Sequence, residues 1–303
     1  MKTLSRKAFE MMLGALVAAA TCSCSTAMVN DAMVEDEYVT PVQNSRMVSF
    51  GMQTVMESMS TRAVSTATPT QLLVLDAAPD GTVKVYTRNV SADTDVEGDV
   101  LDNLSLNLLY GQHKLYFVAA DNAFQRYDTD AMTVTWDSSV KSLKNCWAQS
   151  VDLTVGQETL SGQQISLPIR VAQIQMVLNE GVISGVSEME MAASDGSWEL
   201  DLNTMSGTDA AGVSAKFNIP SNYWNVKGTS FNLYSFLPEQ AETVGTLTAT
   251  ARDANGDEVT SHVLNDVPVA AAQITRYTGF FFNNSQGFTL SVDNVWTEDD
   301  HQY

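Results

Sequence analysis

VAQIQMVLNEGVISGVSEMEMAASDGSWELDL, residues 171 to 202, decides the fold class. Ile174, Met176 and Leu178 alternate with Gln173, Gln175 and Val177; Met189 and Met191 sit between Glu188 and Glu190; Trp198, Leu200 and Leu202 flank Glu199 and Asp201. A period of two places one set of side chains on a buried sheet face and the other on the opposite face. AspGly at 195 and 196 supplies the turn chemistry between two such runs.

The same pattern extends in both directions. Val83, Val85 and Thr87 alternate upstream, as do Leu115, Phe117 and Ala119, then Met132, Val134 and Trp136. Downstream come Val213, Ala215 and Phe217, then Leu247, Ala249 and Ala251, then Phe288, Leu290 and Val292. ProAspGly at 79 to 81 and AsnGly at 255 and 256 mark further turns. Helical periodicity is confined to Ser139 to Gln149, where Val140, Leu143 and Trp147 would share one face of a short crossover. Many short strands without βαβ alternation predict an all-β protein of two antiparallel β-sandwiches. The polar stretch LSGQQISLPIR, residues 160 to 170, reads as the join, near residue 165.

The chain has 303 residues, enough for two domains, and 44% of them are hydrophobic, which suits a folded protein. Sixteen basic residues against 36 acidic give a net charge of -20. Nucleic acid and anionic lipid headgroups are repelled by such a surface. Lys2, Arg6 and Lys7 precede an apolar run from Met11 to Thr21. A bilayer span takes about 20 apolar residues, so this run reads as a removable export signal.

Directly behind it stand Cys22 and Cys24; the third cysteine is Cys146. Three cysteines make neither a secreted disulfide framework nor a zinc site with matching ligands. The remaining reading is a lipoprotein signal that acylates Cys24, with Cys22 as the alternative. Ser23 is a better small residue before the modified position than Thr21, whereas Cys22 and Thr21 fit the upstream positions poorly. The expected organisation is a signal over residues 1–23, an acidic tether over 24–45, and sandwiches over 46–165 and 166–303.

No constellation with enzymatic chemistry emerges. His113, His262 and His301 lack companions at metal spacing, and His113 reads as an exposed loop residue. Residues 253 to 258, DANGDE, look superficially like a calcium loop, but Gly256 is fourth rather than sixth, so a hairpin turn is expected. The stretch from Asp76 to Gly81 is read in the same way. No metal or cofactor is expected. Tyr223 and Trp224, in PSNYWN, could stack on a sugar, or fold back over a sandwich edge.

Four segments in order carry a resemblance. VSFGMQ, residues 48 to 53, leads to STRA at 60 to 63. GQHKLYFVAADNA occupies 111 to 123 and LPIRVAQIQMVL occupies 167 to 178. ITRYTGFFF and GFTLSVDNVW close the chain between 274 and 296. Together they resemble the fimbrillin superfamily of Bacteroidia, the subunits of type V pili. That resemblance implies two transthyretin-like Greek-key sandwiches and an outer-membrane lipoprotein precursor. It also implies cleavage by an arginine-specific protease, after which a strand from another pilus subunit fills the vacated groove. Val48, Phe50 and Met52 would form the removable strand. Arg62, ahead of Ala63, is the matching cleavage site, and Arg46 is the second choice. Only seven largely polar residues follow Trp296, which points to the last strand as donor or to a subunit at one end of the fibre. A surface receptor would be the remaining partner.

Overall fold

The computed structural model describes residues 44–58, 61–64, 69–89, 101, 104–121, 126–136, 143, 145–158, 162–208, 211–239, 241–283 and 287–293. Cys22 and Cys24 lie outside this set, as do the signal, the tether up to residue 43 and His301; Ser45, expected at the end of the tether, already opens a strand. Gln43–Tyr303 forms one compact unit.

The first half contains β1 (Ser45–Ser58), β2 (Thr61–Val64), β3 (Gln71–Ala77), β4 (Val83–Asn89) and β5 (Leu104–Leu109). It continues with β6 (Gly111–Ala120), β7 (Arg126–Asp128), β8 (Thr133–Thr135), β9 (Cys146–Val155) and β10 (Gln163–Pro168). The second half opens with β11 (Val171–Leu178), β12 (Val186–Ala193), β13 (Glu199–Asp201), β14 (Ser206–Gly207) and β15 (Val213–Asn218). It ends with β16 (Ser230–Phe236), β17 (Thr243–Asp253), β18 (Glu258–Pro268), β19 (Ile274–Gly279) and β20 (Phe288–Asp293). Among the described residues the sole helical element is a 3-10 turn at Ser221–Tyr223.

The all-β expectation holds. β1, with β5 and β2 along one side and β10 along the other, faces the sheet β4-β3-β6-β9. Phe50 and Phe117 meet across that gap with ring centroids 5.4 Å apart. The second sandwich stacks β16-β11-β19-β20 on β15-β12-β17-β18 around a core that includes Met176, Met189, Met191, Phe231 and Leu247. Two pairings depart from the antiparallel rule: β1 with β10 and β11 with β19 run parallel. Each joins strands far apart in sequence, where a hairpin cannot set the direction.

A fifth sheet, β14-β13-β8-β7, takes two strands from each half. Glu199, Leu200 and Asp201 pair with Thr135, Val134 and Thr133. It covers the outer face of β6, where Tyr116 donates its hydroxyl to Asn203 Oδ1 at 2.8 Å. Tyr116 and Val118, which alternate with Leu115, Phe117 and Ala119, are accordingly buried along with them.

Three local expectations are corrected. Cys146 to Gln149 open β9 rather than ending a helix, because ten residues pair with β6 and bury Trp147. The polar join contains β10, which pairs with β1, so residue 165 lies inside a strand and Leu167 is fully buried. His113 is not an exposed loop residue; it lies in β6 and is buried. The two turn readings hold: Gly81 and Gly256 take φ of 81° and 87°, the left-handed region that favours glycine.

Candidate strand-exchange groove

β1 alternates with the regularity its sequence suggests. Val48, Phe50, Met52 and Thr54 point into the first core, each less than a tenth exposed, while Met47 and Gln53 are exposed. Main-chain bonds hold the strand from both sides. Ser45 to Phe50 pair antiparallel with Leu109 to Leu104, and Phe50 to Val55 pair parallel with Gln163 to Pro168. Removing β1 would therefore open a trough floored by Phe117 and flanked by two unpaired strand edges, β5 and β10. A strand running in the direction of β1, with apolar residues at alternate positions, would satisfy both edges.

The two arginines flagged from sequence occupy different settings. Arg46 lies inside β1, opposite Leu108, and its guanidinium donates to the Gln157 carbonyl. A cut there would leave most of β1 in place. Arg62 and Ala63 lie in β2, opposite Glu57 and Met56. A cut between them would free the whole of β1. β2 has four residues and pairs with β1, so little has to open before a protease could take the segment as an extended chain.

At the other end of the chain, β20 pairs with β19, with Phe288 opposite Gly279 and Asp293 opposite Ile274. Phe288, Leu290 and Val292 alternate along it, yet Leu290 is 46% and Val292 44% exposed. β20 is thus an edge strand whose apolar alternation is only partly used within its own subunit.

The other sequence candidates sit elsewhere. Tyr223 and Trp224 are half-buried against the second core, and Trp224 Nε1 donates to the Val186 carbonyl at 2.8 Å. This is the arrangement of a loop aromatic folded over a sandwich edge. His262 packs on Phe281 and Phe288, with Nε2 2.7 Å from the Phe281 carbonyl. Asp253 accepts main-chain N–H groups from Asn255 and Asp257, which closes the hairpin turn.

Sequence reasoning missed one buried polar pair. His113 Nδ1 lies 2.6 Å from Asp76 Oδ1, its Nε2 lies 2.7 Å from the Leu109 carbonyl, and both side chains are fully enclosed. A polar residue at an inward position of each strand was the available signal.

No family model and no curated protein matches the sequence. Solved structures do. A candidate polysaccharide-binding protein from Bacteroides thetaiotaomicron matches with a TM-score of 0.56 at 12% identity, over 84% of this chain and 99% of that one. A candidate adhesin from Bacteroides ovatus matches with a TM-score of 0.51 at 12% identity, over 82% and 95% of the two chains. A second B. ovatus adhesin candidate matches with a TM-score of 0.50 at 9% identity, over 80% and 88%.

The chain shares the fold of these Bacteroides proteins. At this identity the likeness concerns architecture, since residue-level sites do not transfer between folds of such divergent sequence.

Proposed function

We propose that this protein is a structural subunit of a cell-surface fimbria, assembled by exchanging β1 for a strand of a neighbouring subunit. The observation that carries the reading is the seating of β1. It is a core strand, bonded on both sides, and joined to the remaining chain through the short β2 that holds Arg62. The adhesin names of two structural neighbours support a surface role of this kind. Export as a precursor acylated at Cys24 or Cys22 would hold the subunit at the outer membrane until an arginine-specific protease acts. Its work is mechanical rather than enzymatic.

β20 is the donor that fits the groove. Phe288, Leu290 and Val292 offer three alternate apolar side chains, as Val48, Phe50 and Met52 do, and two of the three are exposed before transfer. Inserted in the direction of β1, β20 would run parallel to β10 and antiparallel to β5. An anchor subunit, by contrast, would keep its lipid and β1.

The test is digestion of the purified precursor with an arginine-specific protease, followed by electrophoresis in mild detergent. A new N-terminus at Ala63 and a ladder of oligomers are expected, and Arg62→Ala should abolish both. Leu290→Lys should permit cleavage and stop the ladder. Cleavage at Arg62 with a strictly monomeric product would reject strand exchange and leave the anchor role.

A further inference from the structure

The second sandwich leaves one side open. β18 closes the order β15-β12-β17-β18, and among the described residues no strand pairs with its far side. β20 ends the facing sheet on the same side, since His262 of β18 packs on Phe288 of β20 with ring centroids 5.8 Å apart. Of the eight large apolar side chains exposed among the described residues, four lie on these two strands: Val259, Val263, Leu290 and Val292. Strand exchange accounts only for the two on β20.

β18 lacks the devices that keep an edge strand from pairing. Lys84 and Arg88 stand on the edge strand β4, Arg126 and Asp128 on β7, and Lys216 on β15. In β18 no charge occurs between Glu258 and Asp266. A bulge marks one end of that stretch, where Arg252 faces Glu258 although Ala251 faces Thr260, and Asp266 at φ 51° marks the other. Between them, Thr260 to Asn265 offer main-chain groups to a further strand on the free side.

That stretch is its own complement. Val259 and Val263 are 42% and 57% exposed and flank Ser261 at equal distance along the chain. An antiparallel copy centred on Ser261 sets Val259 against Val263 of the second copy and Thr260 against its His262. Glu258 then meets Leu264, and Asp257 meets Asn265, so no carboxylate faces another across the pairing. We propose that β18 pairs with β18 of a second copy about a two-fold axis through Ser261, joining the two four-stranded sheets into one.

The size of the contact selects its occupant. The pairing runs only from Asp257 to Asn265, whereas a stable interface takes about 20–30 residues a side. It is therefore weak, with a Kd between about 1 μM and 1 mM, and needs a partner at high local concentration. Copies of one subunit gathered on a cell surface supply it, the single point at which the pairing rests on the proposed fimbrial role. A net charge of -20 on each copy opposes approach, so the uncharged stretch of β18 is where two copies can meet, and salt favours the pair by screening.

The experiment uses the intact chain with no protease added. Sedimentation equilibrium should show a monomer–dimer equilibrium that moves towards dimer as salt rises from about 0.05 M to about 0.5 M. Val263→Lys, at an exposed position, should weaken association at least about tenfold with unchanged melting temperature. Directly opposed residues of antiparallel strands have Cα atoms about 4.5–5.5 Å apart, within disulfide reach. Ser261→Cys under mild oxidation should therefore give a dimer whose linked peptides both carry position 261, as mass spectrometry would show. A protein that stays monomeric up to about 1 mM, association that survives Val263→Lys, or a dimer that cross-links through Ser291→Cys on β20 instead would overturn the pairing. These outcomes do not depend on whether Arg62 is cleaved or ladders form, so either proposal can fail alone.

Discussion

At Phe50, 1% exposed and packed on Phe117, the first core is most easily damaged. Phe50→Ala should lower the unfolding free energy of the uncleaved protein by about 3–5 kcal/mol, measured by chemical denaturation. Its neighbours add weight: burying Val48, Phe50, Met52 and Val55 stabilises by about 2 kcal/mol each, together comparable with the net stability of an ordinary domain. A subunit stripped of β1 would therefore be strongly biased towards taking up another strand. Cys146 is the complementary case. Complete burial pushes its thiol well above the usual range, with Asp121 adding to the shift and Arg170 opposing it. Because the thiolate is the reactive form, Cys146 should resist alkylation in the native protein at pH 8 and react on denaturation, as mass spectrometry of the labelled peptide would show. The buried position of Cys146 was not legible, since the alternation before it was obscured by an equally plausible helical spacing at Val140, Leu143 and Trp147.

The elements were the most legible level. β12, β15 and β17 bury the alternate residues the sequence nominates, because each has one face on a core and one on solvent. β6 and β11 depart from that pattern because both of their faces are covered, a condition no local period reports. Turns were equally legible, and they carry a pH dependence. Asp128 and Asp253 accept main-chain N–H bonds within their turns; Asp80 accepts first from the Thr82 hydroxyl and Asp195 first from the Ser194 hydroxyl. All four carboxyls are held below their ordinary value of 3.8. A carboxyl whose folded pKa is depressed contributes stability that is complete above its unfolded pKa and lost as pH falls through its folded one. Melting temperature should thus stay level from neutrality to about pH 5 and drop below about pH 4. A flat profile down to pH 3 would show that these turns contribute nothing.

For the whole molecule, the bridging sheet matters more than the join. The short strands β8 and β13 bring Val134 and Leu200 into the first core from opposite halves of the chain, and Tyr234, Phe236 and Ile274 join them from the second half. Two sandwiches on a flexible linker would unfold separately. Here Leu200→Ala, which removes a fully buried side chain, should cost about 2–5 kcal/mol. Hydrogen exchange followed by mass spectrometry should then show β6 and β11 losing protection together; loss confined to one of them would reject the coupling.

By itself the sequence determined that this chain forms β-strands, where they turn, and which alternate residues seek a core, because period and turn chemistry act over a few residues. Only the tertiary structure decided that β1 lies between β5 and β10, that the halves share a sheet, and that His113 meets Asp76 in the interior. Those features depend on which strands pair across long separations, and pairing is chosen by the combined burial of whole faces rather than by any local pattern.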